Sequence, residues 1–99
     1  MSQPIKSPVT ARSLDQWPSQ TWAEVVSLVP AGDEEDRAVL LRLLEIGFLP
    51  GEPVRVIARG LPGGDPMAVR VGHTTFALRR HEAAMIRVQA TAGVAGAAA

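Results

Sequence analysis

Four short runs of this chain alternate apolar with polar residues, and one follows a helical period. Pro53 to Arg59 places Val54, Val56 and Ala58 on one side and Arg55, Ile57 and Arg59 on the other, the pattern of a half-buried strand that opens on a tolerated proline. Met67 to Val71 and Thr74 to Arg79 alternate in the same way. Gly72-His73 between them suits a two-residue hairpin with glycine first. Met85 to Gln89 forms a last strand, with Ile86 and Val88 against Arg87, after a helical turn over Arg80 to Ala84. Trp22 to Val29 is short and rich in β-branched and aromatic residues, which predicts a first strand ended by Pro30-Ala31-Gly32.

The most informative stretch is Leu40 to Gly60, in which an amphipathic helix feeds a strand through a short connection. Asp33 stands at the N-cap position, and Glu34, Glu35 and Asp36 occupy the first turn, where negative charge suits the helix dipole. Val39, Leu40, Leu43, Leu44 and Ile46 fall on one arc that should face a core, and Gly47 supplies the left-handed residue that closes the helix. Leu41 lies outside that arc, between Arg37 and Glu45. Leu49-Pro50-Gly51-Glu52 fits a type II turn, with proline presetting the second position and glycine taking positive φ at the third.

The tally is mainly β: a small SH3-like barrel of about five strands with one α-helix inserted after the first strand. Closure would hide the sheet edges of so small a domain. Residues 1–20 and 90–99 carry no periodic apolar pattern and are expected to be flexible flanks of a domain spanning 21–89. Phe48 and Trp22 are expected in the core, and Trp17 either packs back on the barrel or stays unused.

Composition narrows the chemistry. The 99 residues include no cysteine, which excludes disulfides, thiolate metal sites and thiol nucleophiles. There is no signal-peptide pattern and no window approaching the roughly 18 apolar residues that span a bilayer, so a soluble cytoplasmic protein, not itself membrane-inserted, is expected. Net charge is zero but divided: residues 1–50 hold seven acids against four bases, and residues 51–99 hold three acids against six arginines. Zero net charge and the lack of an aromatic platform argue against nucleic acid as a partner.

Candidate chemistry is sparse. Asp33 to Asp36 diverge around a helix axis and read as a cap and solvated face rather than a cation site. His73 and His81, eight residues apart with no third ligand nearby, make a poor metal site. GLPGGDP lacks the Gly-Lys-Ser/Thr ending of a phosphate loop, and the serines lie far from either histidine. No catalytic residue, cofactor or resident metal is expected, and an enzyme is not.

The run RLLEIGFLPGEPVRVI followed by GGDPMAVRVGHTTFALRRHEAAMIRV resembles the ferrous iron transport protein A (FeoA) family. Members show a strand, an Arg-Leu-bearing helix that ends in Leu-Gly or Ile-Gly, and a Pro-Gly turn. A Gly-Asp-Pro loop and a terminal Ala-Leu-Arg-Arg, Glu-Ala, Ile-x-Val sequence follow. The matching positions are Arg42, Leu43, Glu45, Ile46 and Gly47, then Pro50, Gly51 and Gly64 to Pro66, then Ala77 to Arg80, Glu82, Ala83, Ile86 and Val88. Where members often carry a polar or basic residue before Arg42, this chain has Leu41.

The resemblance implies an SH3-like, cytoplasmic accessory protein of ferrous iron uptake that binds and regulates or assembles the FeoB permease, a membrane GTPase. The alternative it leaves open is a metal-ion-sensing domain like those at the C-terminus of metal-dependent repressors, and weak self-association is also open. The residues expected to meet a partner are Leu41 and Leu49 as exposed apolar anchors, Glu45 beside them, and Arg55, Arg59, Arg79 and Arg80 as cations for an acidic surface. The bland reading of outward arginines, that they solubilise and protect strand edges, stands beside this one.

Overall fold

A computed structural model describes residues 11–60 and 63–91. Six strands form one antiparallel sheet: β1 (Arg12–Ser13), β2 (Ala23–Leu28), β3 (Pro53–Arg59), β4 (Met67–Val71), β5 (Thr74–Leu78) and β6 (Ile86–Ala90). Helix α1 (Glu34–Ile46) joins β2 to β3, and the short α2 (Arg80–Ala83) joins β5 to β6. The spatial order is β1-β6-β2-β3-β4-β5, so the last strand lies between the first two. The expected closure is not reached: β1 and β5 remain edges that do not pair with each other.

The strand beyond the expected five, β1, comes from a region expected to lie outside the domain. Arg12 and Ser13 pair with Val88 and Arg87, a 3₁₀ turn follows over Leu14–Gln16, and Leu14 and Trp17 are core residues. The domain therefore starts ahead of the expected boundary at residue 21. A lone leucine and a lone tryptophan have no period to read, and only packing gives them an inside. Of the flanks expected at 1–20 and 90–99, residues 1–10 and 92–99 lie outside the described residues.

Local signals act as their chemistry requires. Asp33 Oδ1 accepts the Asp36 N–H at 2.8 Å, capping α1. Gly47 ends the helix at φ 121° and donates its N–H to the Leu43 and Leu44 carbonyls. The Leu49 to Glu52 turn closes with the Glu52 N–H on the Leu49 carbonyl at 2.9 Å. Gly72, at φ 62°, opens the hairpin that pairs Val71 with Thr74.

The core is continuous: Phe48, Leu43, Val54, Val56, Met67, Val69, Leu78, Ile86 and Val88 have almost no exposed surface. Helix α1 covers it along a stripe centred on Leu43, with Val39, Leu40 and Ile46 packed to either side. Leu44, expected on that stripe, is 38% exposed. One helical residue turns about 100°, which carries Leu44 past the edge of a stripe centred on its neighbour. Trp22, expected in the core, is half-buried, because β2 turns Ala23 and Val25 inward and so sends Trp22 and Glu24 to the outer face.

Candidate functional site

The seven residues expected to meet a partner fall into three structural situations. Leu41, Glu45 and Leu49 are exposed, the two leucines at 55% and 48%. Leu41 and Glu45 lie on the side of α1 opposite Leu43, one turn apart, with Leu44 and Arg37 on the same outward surface. Val29 completes the exposed large apolar residues among the described residues, and these four sit in α1 or in the connections on either side of it.

Arg79 and Arg80 are exposed at the start of α2, and Glu82 fixes that start. Glu82 is buried; its Oε1 accepts the Arg79 N–H at 2.9 Å, and its Oε2 accepts from Arg42 Nη1 of α1 at 2.6 Å. Asp65 adds a second support, accepting the Arg80 N–H at 2.9 Å and standing 4.0 Å from Arg79 Nη1. One carboxylate thus ties the side chain of Arg42, the residue after Leu41, to the backbone of Arg79, which links the exposed helix face to the start of α2. The i, i+3 spacing of Glu82 from Arg79 signals the cap, whereas the contact with Arg42, forty residues away, has no local signal.

Arg55 and Arg59 belong elsewhere. The β3–β4 register slips between Val56 and Ala58, making Ile57 the extra residue of a bulge. Beyond it the side-chain phase inverts: Ala58 is exposed, and Arg59 pairs with the buried Met67. Arg59 is therefore no outward cation. Its guanidinium donates to Ser19 Oγ at 3.1 Å, to the Asp15 carbonyl at 3.1 Å and to the Trp17 carbonyl. Arg55 keeps the outward phase, but its Nη2 donates to Gln20 Oε1 at 2.8 Å and its guanidinium lies 5.2 Å from the centre of the Trp22 ring.

Gln20 pins the bulge. At φ 65° it donates its N–H to the Val56 carbonyl at 2.8 Å and its Nε2 to the Ile57 carbonyl at 2.5 Å. Nothing in the sequence marks a glutamine for that backbone conformation.

Among the described residues no three His, Cys, Asp or Glu side chains converge on a common point. His73 lies in the β4–β5 turn and His81 on α2, both exposed. No helix among the described residues is long and apolar enough to cross a membrane.

A six-stranded antiparallel sheet wrapped on one core, with a single helix between its second and third strands, defines a small SH3-like domain. The FeoA domain model matches residues 12–90, and the chain belongs to the FeoA family, which is associated with ferrous iron transport. FeoA of Stenotrophomonas maltophilia, solved in complex with zinc, is 43% identical over 77% of this chain and 87% of that one, with a TM-score of 0.67. That protein is described as a procaryotic SH3 domain protein and proposed as a bacterial ferrous iron transport activating factor. FeoA of Chlorobium tepidum is 33% identical over 82% of this chain and 71% of that one, with a TM-score of 0.66. A manganese-dependent transcriptional repressor shares the fold alone, at 22% identity over 82% of this chain and 42% of its own, with a TM-score of 0.67. No curated protein matches the chain.

Proposed function

We propose that this chain is a cytoplasmic, non-catalytic docking module that binds a FeoB-type ferrous iron permease and regulates or assembles it. The observation that carries this reading is the apolar surface of α1 and its connections: Leu41, Leu44 and Leu49 are exposed while the same helix buries Leu43 on its other side. Solvent-facing leucines on a helix whose core stripe is already satisfied do not help the fold, and contacts that exclude water from them would stabilise a complex. Glu45 on the same surface, Arg79 held by Glu82 and Arg80 held by Asp65 supply charges that select orientation.

The alternative of a metal-sensing domain has only the shared fold of the repressor and the zinc held by the Stenotrophomonas protein behind it. Co-purification with the permease from iron-limited cells tests the docking reading. Wild-type chain should retain the permease, and Leu41→Asp with Leu49→Asp should lose it without loss of fold. Equal retention by both, or by neither, would remove the proposal.

A further inference from the structure

The outer face of the sheet carries a row of residues that the docking reading does not use. Arg55 of β3 stands directly opposite Arg70 of β4, and Arg70 opposite Thr75 of β5. The pairing of Ala23 with Val54 brings Trp22 beside Arg55 at the other end. Like charges directly across a strand pair repel. The ion pairs among the described residues join Arg42 to Glu82 and Arg79 to Asp65, so neither Arg55 nor Arg70 has a carboxylate within 4.0 Å.

Other acceptors do not make up the difference. Arg55 gives Nη2 to Gln20 and its guanidinium carbon lies over the Trp22 ring, while its Nε is buried without an acceptor. Arg70 spends only its Nε, at 3.4 Å from the Gly72 carbonyl. Arg55 Nη1 and both terminal nitrogens of Arg70 have no acceptor among the described residues. These arginines are half-buried, unlike freely solvated edge residues, and with Trp22, Ile57, Gly72 and His73 they line a cleft of about 330 Å³.

We propose that this cleft binds a phosphate-class oxyanion, with Arg55 and Arg70 as its two cationic ligands. A phosphate dianion neutralises both guanidinium groups, whereas one carboxylate would leave a charge unpaired. Guanidinium presents its N–H donors in the fork that such oxygens accept. Gln20 and the Trp22 ring hold the Arg55 guanidinium in place, which lowers the entropic cost of capture. The volume lies at the lower end of the range for small-ligand sites, roughly 300 to 1,000 Å³, enough for the anion with a modest attached group.

The test is a titration of the full chain followed by ¹H–¹⁵N NMR at constant ionic strength, with inorganic phosphate, adenosine monophosphate and acetate as separate probes. Phosphate should give saturable shifts at the Trp22 indole N–H and at the Nε–H groups of Arg55 and Arg70. Arg70→Gln should weaken binding at least about tenfold, the size expected for loss of a charge-assisted pair, and Arg87→Gln, on the distant β6, should not. Tighter binding of the nucleotide would assign the site to phosphate esters, and equal binding to the phosphate group alone; both support the proposal. Absence of saturation up to about 10 mM, a limit that marks negligible affinity, acetate binding as well as phosphate, or an unchanged midpoint in Arg70→Gln would each overturn it. Because the docking reading rests on α1, permease retention by Arg70→Gln separates the two.

Discussion

Arg42 of α1 and Glu82 of α2, forty residues apart, meet at 2.6 Å, and the same carboxylate accepts the Arg79 N–H. The pair does more than add one surface ion pair. Glu82 is buried, so removing its side chain takes the acceptor from the partly buried Arg79 N–H at the start of α2 and releases the half-exposed Arg42 guanidinium to solvent, and a hydrogen bond to a charged group is worth more than one between neutral groups.

Glu82→Ala should therefore destabilise the domain by about 1–3 kcal/mol in urea unfolding, and Glu82→Gln by less, since an amide oxygen still accepts the Arg79 N–H. An equal loss in both variants would show that the ion pair with Arg42, rather than the capped backbone, carries the effect.

Arg59→Ala should loosen residues 12–19. Three acceptors on Asp15, Trp17 and Ser19 depend on that guanidinium, and hydrogen bonds to charged groups contribute about 1.5–3 kcal/mol each at most. Amide exchange at Ser13 and Trp17 should accelerate before that of β4, and Arg59→Lys should not restore protection, because an ammonium lacks the planar fork. Unchanged exchange at both amides would refute this role.

Leu14→Ala should cost about 2–5 kcal/mol, the range for emptying a fully buried leucine site. A loss below about 0.5 kcal/mol, typical of surface positions, would mean that the segment before residue 21 is not part of the core.

Gly47→Ala should lower stability by about 1–3 kcal/mol, as L-residues held outside the favoured backbone regions do. The cost is conformational: the new methyl would meet Val71 Cγ1 at 3.7 Å, an ordinary contact. A thermal midpoint equal to that of wild type would contradict the backbone argument.

Much of the fold is legible in local chemistry. The cap at Asp33, the glycine stop at Gly47, the Pro50-Gly51 turn and the Gly72-His73 hairpin each depend on a few adjacent residues, and so does the alternation in β4. Exposure of Leu41 follows equally from its angle on the helix relative to Leu43. These features are decided within about one turn of helix or a few residues of strand, where the amino-acid order is the geometry.

What residues far apart do to one another was settled only by folding. The bulge at Ile57, pinned by Gln20, inverts the phase of β3 and converts Arg59 from an expected surface cation into the tie for residues 15–19. Leu14 and Trp17 join the core because β1 finds β6 across more than seventy residues. Glu82 becomes a bridge, and Arg55 and Arg70 become neighbours, through the register of elements that are distant in the chain. Periodicity describes a segment against its own axis. Burial, pairing and the meeting of charges are relations between segments, and they exist only once the core has fixed where each segment lies.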